Sequence, residues 1–190
     1  MEIKKILDIL KNGGVIAAPT DTVYGLLADV SNPDAIKKVF AIKARSEGKA
    51  LPILLASFDW LSRFVKVNEA QRQFLAQVWP GKITVILPLK LGVSLINSAF
   101  RVPAYPLVID ILNAFSKPLT GTSANKSGAK PSMSAREVRE QLTSPAPDYI
   151  IDEGVLAPSH PSTIVDLTTS PARIIREGAD SDKVKTLLKD

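Results

Sequence analysis

Three polar segments of the 190-residue chain combine residue types that can handle an anion. The first is Lys43-Ala44-Arg45-Ser46-Glu47-Gly48-Lys49. If this stretch is extended, Lys43 and Arg45 point to the same side, because side chains two apart share a face. A guanidinium fork grips two oxygens while an ammonium neutralises charge, which suits a polyphosphate. A solvated basic loop is the alternative. The second segment is Gly121-Thr122-Ser123-Ala124-Asn125-Lys126-Ser127-Gly128. Small residues and hydroxyls framed by glycines let backbone amides approach an anion closely, or simply make a flexible loop. The third, Pro19-Thr20-Asp21-Thr22-Val23-Tyr24-Gly25, puts two threonines, a carboxylate and a tyrosine at a strand's carboxyl end. Such residues line a ligand crevice or close a tight turn through hydroxyl-to-backbone bonds. Ser162-Thr163 and Arg176-Glu177-Gly178, near the ends of late strands, are placed to complete such a site.

Several familiar chemistries are missing. Gly81-Lys82-Ile83-Thr84 lacks the frame of a phosphate-binding P-loop, and there is neither a GxGxxG fingerprint nor a GxSxG elbow. Without cysteine there are no disulfides, thiolate nucleophiles or thiolate metal sites. His160 is the single histidine, which excludes multi-histidine metal centres. It stands in a Pro/Ser loop, where a surface role outweighs a Ser-His-Asp triad. A nucleotide site here therefore needs an unusual cradle.

The elements that must position these loops can be read from pattern. Ile3, Ile6, Leu7 and Leu10 share a helical face over residues 2–12, and Gly13-Gly14 stop it. Asn32-Pro33-Asp34 starts a helix. Asn68 with Gln71, and Ser134 with Glu137, form capping boxes for helices running through Val78 and Leu142. A helix from about Leu107 to Phe115 and a terminal one over Asp180–Leu188 complete the set. Apolar runs predict strands at Val15–Ala18, Leu51–Ala56, Ile83–Leu87, a short one ending at Arg101-Val102-Pro103, Leu119–Ser123, Tyr149–Ile151, Thr163–Leu167 and Arg173–Ile175. Strands and helices alternate irregularly, so the expectation is an α/β (α+β) fold: a twisted mixed sheet flanked by helices, in one domain over 1–190. Segments 143–147 and 156–162 read as surface loops.

Composition agrees with an ordinary globular protein: 45% hydrophobic and 23% charged residues. No apolar run approaches the roughly 18 residues of a membrane helix. The opening MEIKKILDIL carries Glu2 and Asp8 and lacks a cleavage site, so it reads as an amphipathic helix and the expected location is the cytoplasm. A net charge of +5 favours anionic partners such as nucleotides or RNA.

Taken in order, PTDTVYGL, KAR, WPGKITVIL, RVP, TSAN and STIVDL resemble the YrdC-like family of threonylcarbamoyl-AMP synthases, from about Ile6 to Gly178. The resemblance implies a twisted sheet around a large, basic, concave cavity. It also implies condensation of ATP, L-threonine and bicarbonate to threonylcarbamoyl-adenylate and pyrophosphate, for tRNA modification. Lys43 and Arg45 match the family's basic pair, implying triphosphate contacts and a catalytic role. Ser123, Asn125, Ser132 and Arg176 match positions implied to bind ATP, and Thr84 falls in a cavity-lining strand counted with them. Thr20, Arg101 and Ser162 match positions implied to hold threonine. Magnesium is expected with ATP, its ligands not legible, and partner proteins are expected to transfer the product to tRNA. Weak tRNA binding is compatible with the basic surface, and no membrane partner is expected. Relatives have proline at Ser46 and histidine at Tyr105 and Leu54, so the threonine pocket differs in shape. The competing reading is a non-enzymatic double-stranded RNA or tRNA-binding module using the basic cavity. Aromatic residues, at 6%, are sparse for a base-stacking surface. The carbamoyl-adenylate chemistry of hydrogenase-maturation proteins would require zinc-finger and acylphosphatase-like segments not found in this sequence.

Overall fold

The computed structural model describes residues 3–46, 51–93, 95 and 98–189. Among the described residues, ten short strands form two mixed sheets, not the one sheet expected from the sequence. The four-stranded sheet has β1 (Ile16–Ala18) at its centre, antiparallel to β2 (Gly25–Leu27) and parallel to β8 (Tyr149–Ile150). Its other edge is β7 (Thr122–Ser123), paired with β2. In the larger sheet, β3 (Ile53–Leu54), β4 (Ile83–Ile86), β5 (Ala99–Arg101), β6 (Leu119–Thr120), β9 (Thr163–Asp166) and β10 (Arg173–Arg176) lie in the order β10-β9-β4-β5-β3-β6. β4 runs parallel to β9 and β3 parallel to β5.

Strand β2 was missed because three residues, Gly25-Leu26-Leu27, are too short to show a period. All three are buried, and they return antiparallel against β1, so the Thr20–Tyr24 segment is the link of a hairpin.

Capping chemistry explains several helix boundaries. α1 (Ile3–Lys11) buries Ile6 and Leu10. It ends where Gly13, at φ +76°, donates to Leu10 O while Gly14 donates to Ile9 O, the paired bonds of a Schellman stop. α2 (Pro33–Ile42) starts on Asn32, whose side chain accepts from the amides of Asp34 and Ala35. A short α3 (Phe58–Leu61), not foreseen from the sequence, precedes α4 (Glu69–Val78). The expected Asn68–Gln71 capping box opens α4, with both reciprocal bonds made. α5 spans Pro106–Phe115. Ahead of α6 (Ala135–Gln141) only half of the second box forms: Ser134 accepts from Glu137 N, while the Glu137 carboxylate takes the amide of Met133. α7 (Ser181–Leu187) has Asp180 at φ 58° before it and no side-chain cap.

Leu119–Ser123, expected as one strand, is divided at Gly121 between the sheets. β6 pairs with β3, and Thr120 reaches across to the smaller sheet, donating its amide to Ala28 O and its hydroxyl to Leu26 O, both at 2.9 Å. Gly121 N donates to Pro52 O at 2.7 Å, and the chain then pairs with β2. A Cβ at position 121 would sit 2.5 Å from Cγ and Cδ2 of Leu54, a side chain only 1% exposed. Glycine is required here by close approach.

Gly121→Ala is therefore expected to cost about 1–3 kcal/mol through overpacking. Combining it with Leu54→Ala should cost less than the sum of the two single changes, since the new methyl enters the space vacated. Urea unfolding of the four proteins checks this, and strict additivity would contradict a tight crossing.

Candidate active site

The crossing brings the loop after β7 against the end of α2 and the carboxyl ends of β1 and β5, around a cavity of about 370 Å³. Of the residues singled out in the sequence, Lys43, Arg45, Arg101, Ser123, Asn125, Ser162 and Arg176 line it. Thr20, Thr84 and Ser132 do not line it. Thr20 holds the lining residues Thr22 and Val23, Thr84 holds Ser162, and Ser132 braces Ala124 within the loop after β7.

Lys43 and Arg45 do not lie on an extended segment. Lys43 closes α2 in helical conformation, and Ala44 adopts φ +47°. Ala44 N donates to Ala41 O and Arg45 N to Phe40 O, a Schellman stop with alanine in the left-handed position usually taken by glycine. This turn, not strand alternation, sends both cations into the cleft. Nor is Lys43 a solvated loop charge: it is 2% exposed. Its ammonium donates to Ser123 O and, at 2.9 Å, to Asn125 O, while its carbonyl accepts from Ser127 N at 2.8 Å. Burial, and secondarily the positive charge of Arg45, pull its pKa down to about 8. Glu47, Gly48 and Lys49 of the same motif lie outside the described residues.

The loop after β7 is closed on itself. The Asn125 side-chain amide donates to Lys126 O and Ala129 O, each at 2.8 Å. Ser132, wholly buried, donates to Ala124 O at 2.8 Å and so braces the loop from behind. Asn125 Oδ1 and Arg45 Nε are buried without a hydrogen-bond partner among the described residues. Both side chains line the cavity, and such groups are expected to be satisfied by a ligand or water.

At the other end stands Arg101, 5% exposed at the end of β5. Its Nε donates to Gly81 O at 2.9 Å, Nη1 to Thr22 Oγ1 at 3.1 Å, and Nη2 to Asp21 Oδ1 at 2.5 Å. Asp21 Oδ2 accepts from Ala104 N at 3.1 Å. Thr20 shapes the hairpin link: its hydroxyl donates to Val23 O at 2.7 Å and accepts from the amides of Thr22 and Val23. That commits its proton, so in the 3.0 Å contact between the two threonine hydroxyls Thr22 donates. Thr22, which faces the cavity where Thr20 does not, was grouped with Thr20 in the sequence but given no ligand of its own. The hairpin itself was the missing signal.

The third wall comes from β9 and β10. Ser162 Oγ lies 2.8 Å from Oγ1 of the fully buried Thr84 on β4. Arg176 Nη2 donates to Ser162 O at 2.6 Å and to Ser162 Oγ at 3.3 Å. Burial first, then the charges of Arg101 and Arg45, hold the Arg176 pKa below its ordinary value. The guanidinium groups thus feel one another across the cleft. Gly178 is again forced by contact, since a Cβ there would meet Pro161 O at 2.1 Å.

His160 is exposed and takes no part. Leu54 is buried on β3, and Tyr105 donates to Glu153 Oε2 at 2.7 Å. Burial, with the hydrogen bond and charge of Glu153, pushes the Tyr105 pKa up to about 12. Chemically, the cleft gathers four cations, and among the described residues Asp21 on Arg101 is the carboxylate that pairs with any of them. One end offers a fixed fork, the other an excess of positive charge beside a loop rich in hydroxyls and amides.

The chain is similar to known proteins over most of its length. A family model covering Sua5, YciO and YrdC, described as "Telomere recombination", matches residues 8–178. A threonylcarbamoyl-AMP synthase from Vibrio parahaemolyticus is 38% identical over 184 residues, covering 92% of this chain and 98% of that protein. The crystal structure of P. abyssi Sua5 complexed with L-threonine superposes with a TM-score of 0.89 at 30% identity, over 97% of this chain. This chain spans 56% of the length of that Sua5. E. coli YciO superposes with a TM-score of 0.82 at 26% identity, over 93% of this chain and 88% of its own.

Proposed function

The chain belongs to the Sua5/YciO/YrdC family, and we propose that it works as a threonylcarbamoyl-AMP synthase whose cleft holds two anionic substrates at opposite ends. One observation carries the assignment of the ends. Arg101 is a pre-oriented fork with its own counter-charge, while Lys43, Arg45 and Arg176 are cations without one among the described residues. A fork fits the single carboxylate of threonine. Uncompensated charge beside the 121–128 loop fits the polyphosphate of ATP.

The reaction follows from these positions. The threonine amine attacks carbon dioxide derived from bicarbonate, forming the N–C bond of a carbamate and releasing a proton. A carbamate oxygen then attacks the α-phosphorus of ATP. The bond from that phosphorus to the bridging oxygen of the β-phosphate breaks, and pyrophosphate leaves with the electron pair. No enzyme nucleophile is needed. Arg101 orients the amino acid, Ser123 and Asn125 position the nucleotide, and Lys43, Arg45 and Arg176 stabilise charge accumulating on the leaving group. Ser162, held by Thr84 and Arg176, sits between the two ends. Among the described residues no group of three or more His, Cys, Asp or Glu side chains gathers as a cation site. We therefore place magnesium on the phosphates, arriving as part of the MgATP substrate. Transfer of the threonylcarbamoyl group to tRNA is assigned to partner proteins, and the cytoplasm to the site of action. Among the described residues no helix is long and apolar enough to cross a membrane.

The purified protein with MgATP should release pyrophosphate only when both threonine and bicarbonate are present, and mass spectrometry should find threonylcarbamoyl-adenylate. Release independent of threonine would contradict the proposal.

The titration of Lys43 adds a pH dependence. With its pKa near 8, the side chain is cationic below that pH and loses its charge above it. The kcat/KM for ATP, measured with the other substrates saturating, should therefore fall as pH rises through 8. Lys43→Arg should flatten that fall, because a guanidinium keeps its proton throughout the range. An identical profile in both proteins would remove Lys43 from phosphate binding.

A further inference from the structure

Asp21 is the carboxylate beside the cleft, yet it does not face the cavity. Its side chain is 8% exposed, and both oxygens are engaged, Oδ1 by Arg101 and Oδ2 by the amide of Ala104. We propose that Asp21 is a positioning residue that sorts the two anionic substrates, reserving the Arg101 end of the cleft for the amino-acid carboxylate. The proposal rests on the threonine-adenylating reading above.

Two effects combine. The first is orientation. Of the five N–H groups of a guanidinium, those of Arg101 go to Gly81 O on Nε, to Thr22 Oγ1 on Nη1 and to Asp21 on Nη2. One N–H on each terminal nitrogen is left over. Three anchors on three different nitrogens fix the plane of the fork, and Asp21 supplies the only charged one. The second effect is charge. The ion pair offsets the charge of Arg101 itself, so an anion is retained at that guanidinium more by matching the fork than by net charge, with Arg176 the cation between it and Arg45. A triphosphate gains more where positive charge is uncompensated, among Lys43, Arg45 and Arg176. Arg101 and Arg176 are near enough for one charge to depress the other's protonation. Loss of the Asp21 charge would therefore merge four cations into one field, and a polyphosphate would then compete for Arg101.

The test is Asp21→Asn, assayed by pyrophosphate release with each substrate varied separately and inorganic triphosphate as the probe. The expected result is a threonine KM raised on the order of tenfold or more, with the ATP KM changed by less than about threefold. Triphosphate should compete with ATP alone in the parent and with threonine as well in the variant. Asp21→Glu should restore part of the threonine KM. Because Asp21→Asn leaves a buried cation unpaired and endangers folding, Arg101→Gln is compared with the Asp21→Asn/Arg101→Gln double variant, which has no such charge. The second change should add nothing to the threonine KM of the first. Equal rises in both KM values, or an additive effect in the double variant, would overturn the sorting role. A parent protein that shows no threonine-dependent release would instead sink the functional reading itself, and this proposal with it.

Discussion

Residues 119–123 cross from one sheet to the other, and the cleft exists because of that crossing. The constraint is steric. Gly121 passes so close to Leu54 that no side chain fits, and its amide is held by Pro52 O. Thr120 fastens the same segment to the smaller sheet through its amide and its hydroxyl. Everything after this point depends on it: the loop carrying Ser123 and Asn125 emerges facing the end of α2, where Lys43 ties it down through two carbonyls.

Electrostatics set the second constraint. Burial, and after it the positive charge of neighbouring side chains, works against protonation of Lys43 and Arg176 in the cleft. Such a site is stabilised when an anion enters. The protein meets the problem in two ways. Lys43 is solvated by backbone carbonyls in place of water, whereas Arg101 has a buried carboxylate 2.5 Å away. Breaking a buried ion pair from one side generally costs about 3–5 kcal/mol, so the Arg101 end is rigid. The Lys43 end keeps its charge free for a ligand. This unequal treatment of similar side chains is the basis on which we propose two subsites in a single cavity.

Much of this was legible in the sequence where local rules dominate. The Asn32 cap, the Asn68–Gln71 box and the Gly13-Gly14 stop are decided by neighbours within a few residues, and they stand as read. The ordered motifs pointed to loops that surround the cavity and to seven residues that line it. What failed did so for tertiary reasons. Gly121 looked like one glycine inside a strand, and only the nearness of Leu54 makes it a crossing. Lys43 and Arg45 looked like an extended basic loop, whereas alanine at φ +47° turns the chain there against its own preference. Thr20 and Thr22 are chemically alike, and nothing in their order says that the first is consumed by the hairpin link and the second faces the cavity. Asp21 was visible as a carboxylate, but its partner lies eighty positions along the chain.

The central claim is the division of the cleft, and ligand binding tests it without requiring turnover. Threonine and a non-hydrolysable ATP analogue would each be titrated calorimetrically into the parent protein, Arg101→Leu and Arg45→Ala. The account predicts a crossed pattern: Arg101→Leu loses threonine affinity by on the order of tenfold or more while keeping the nucleotide, and Arg45→Ala does the reverse. Both variants losing the same ligand, or each losing both equally, would contradict two separate subsites.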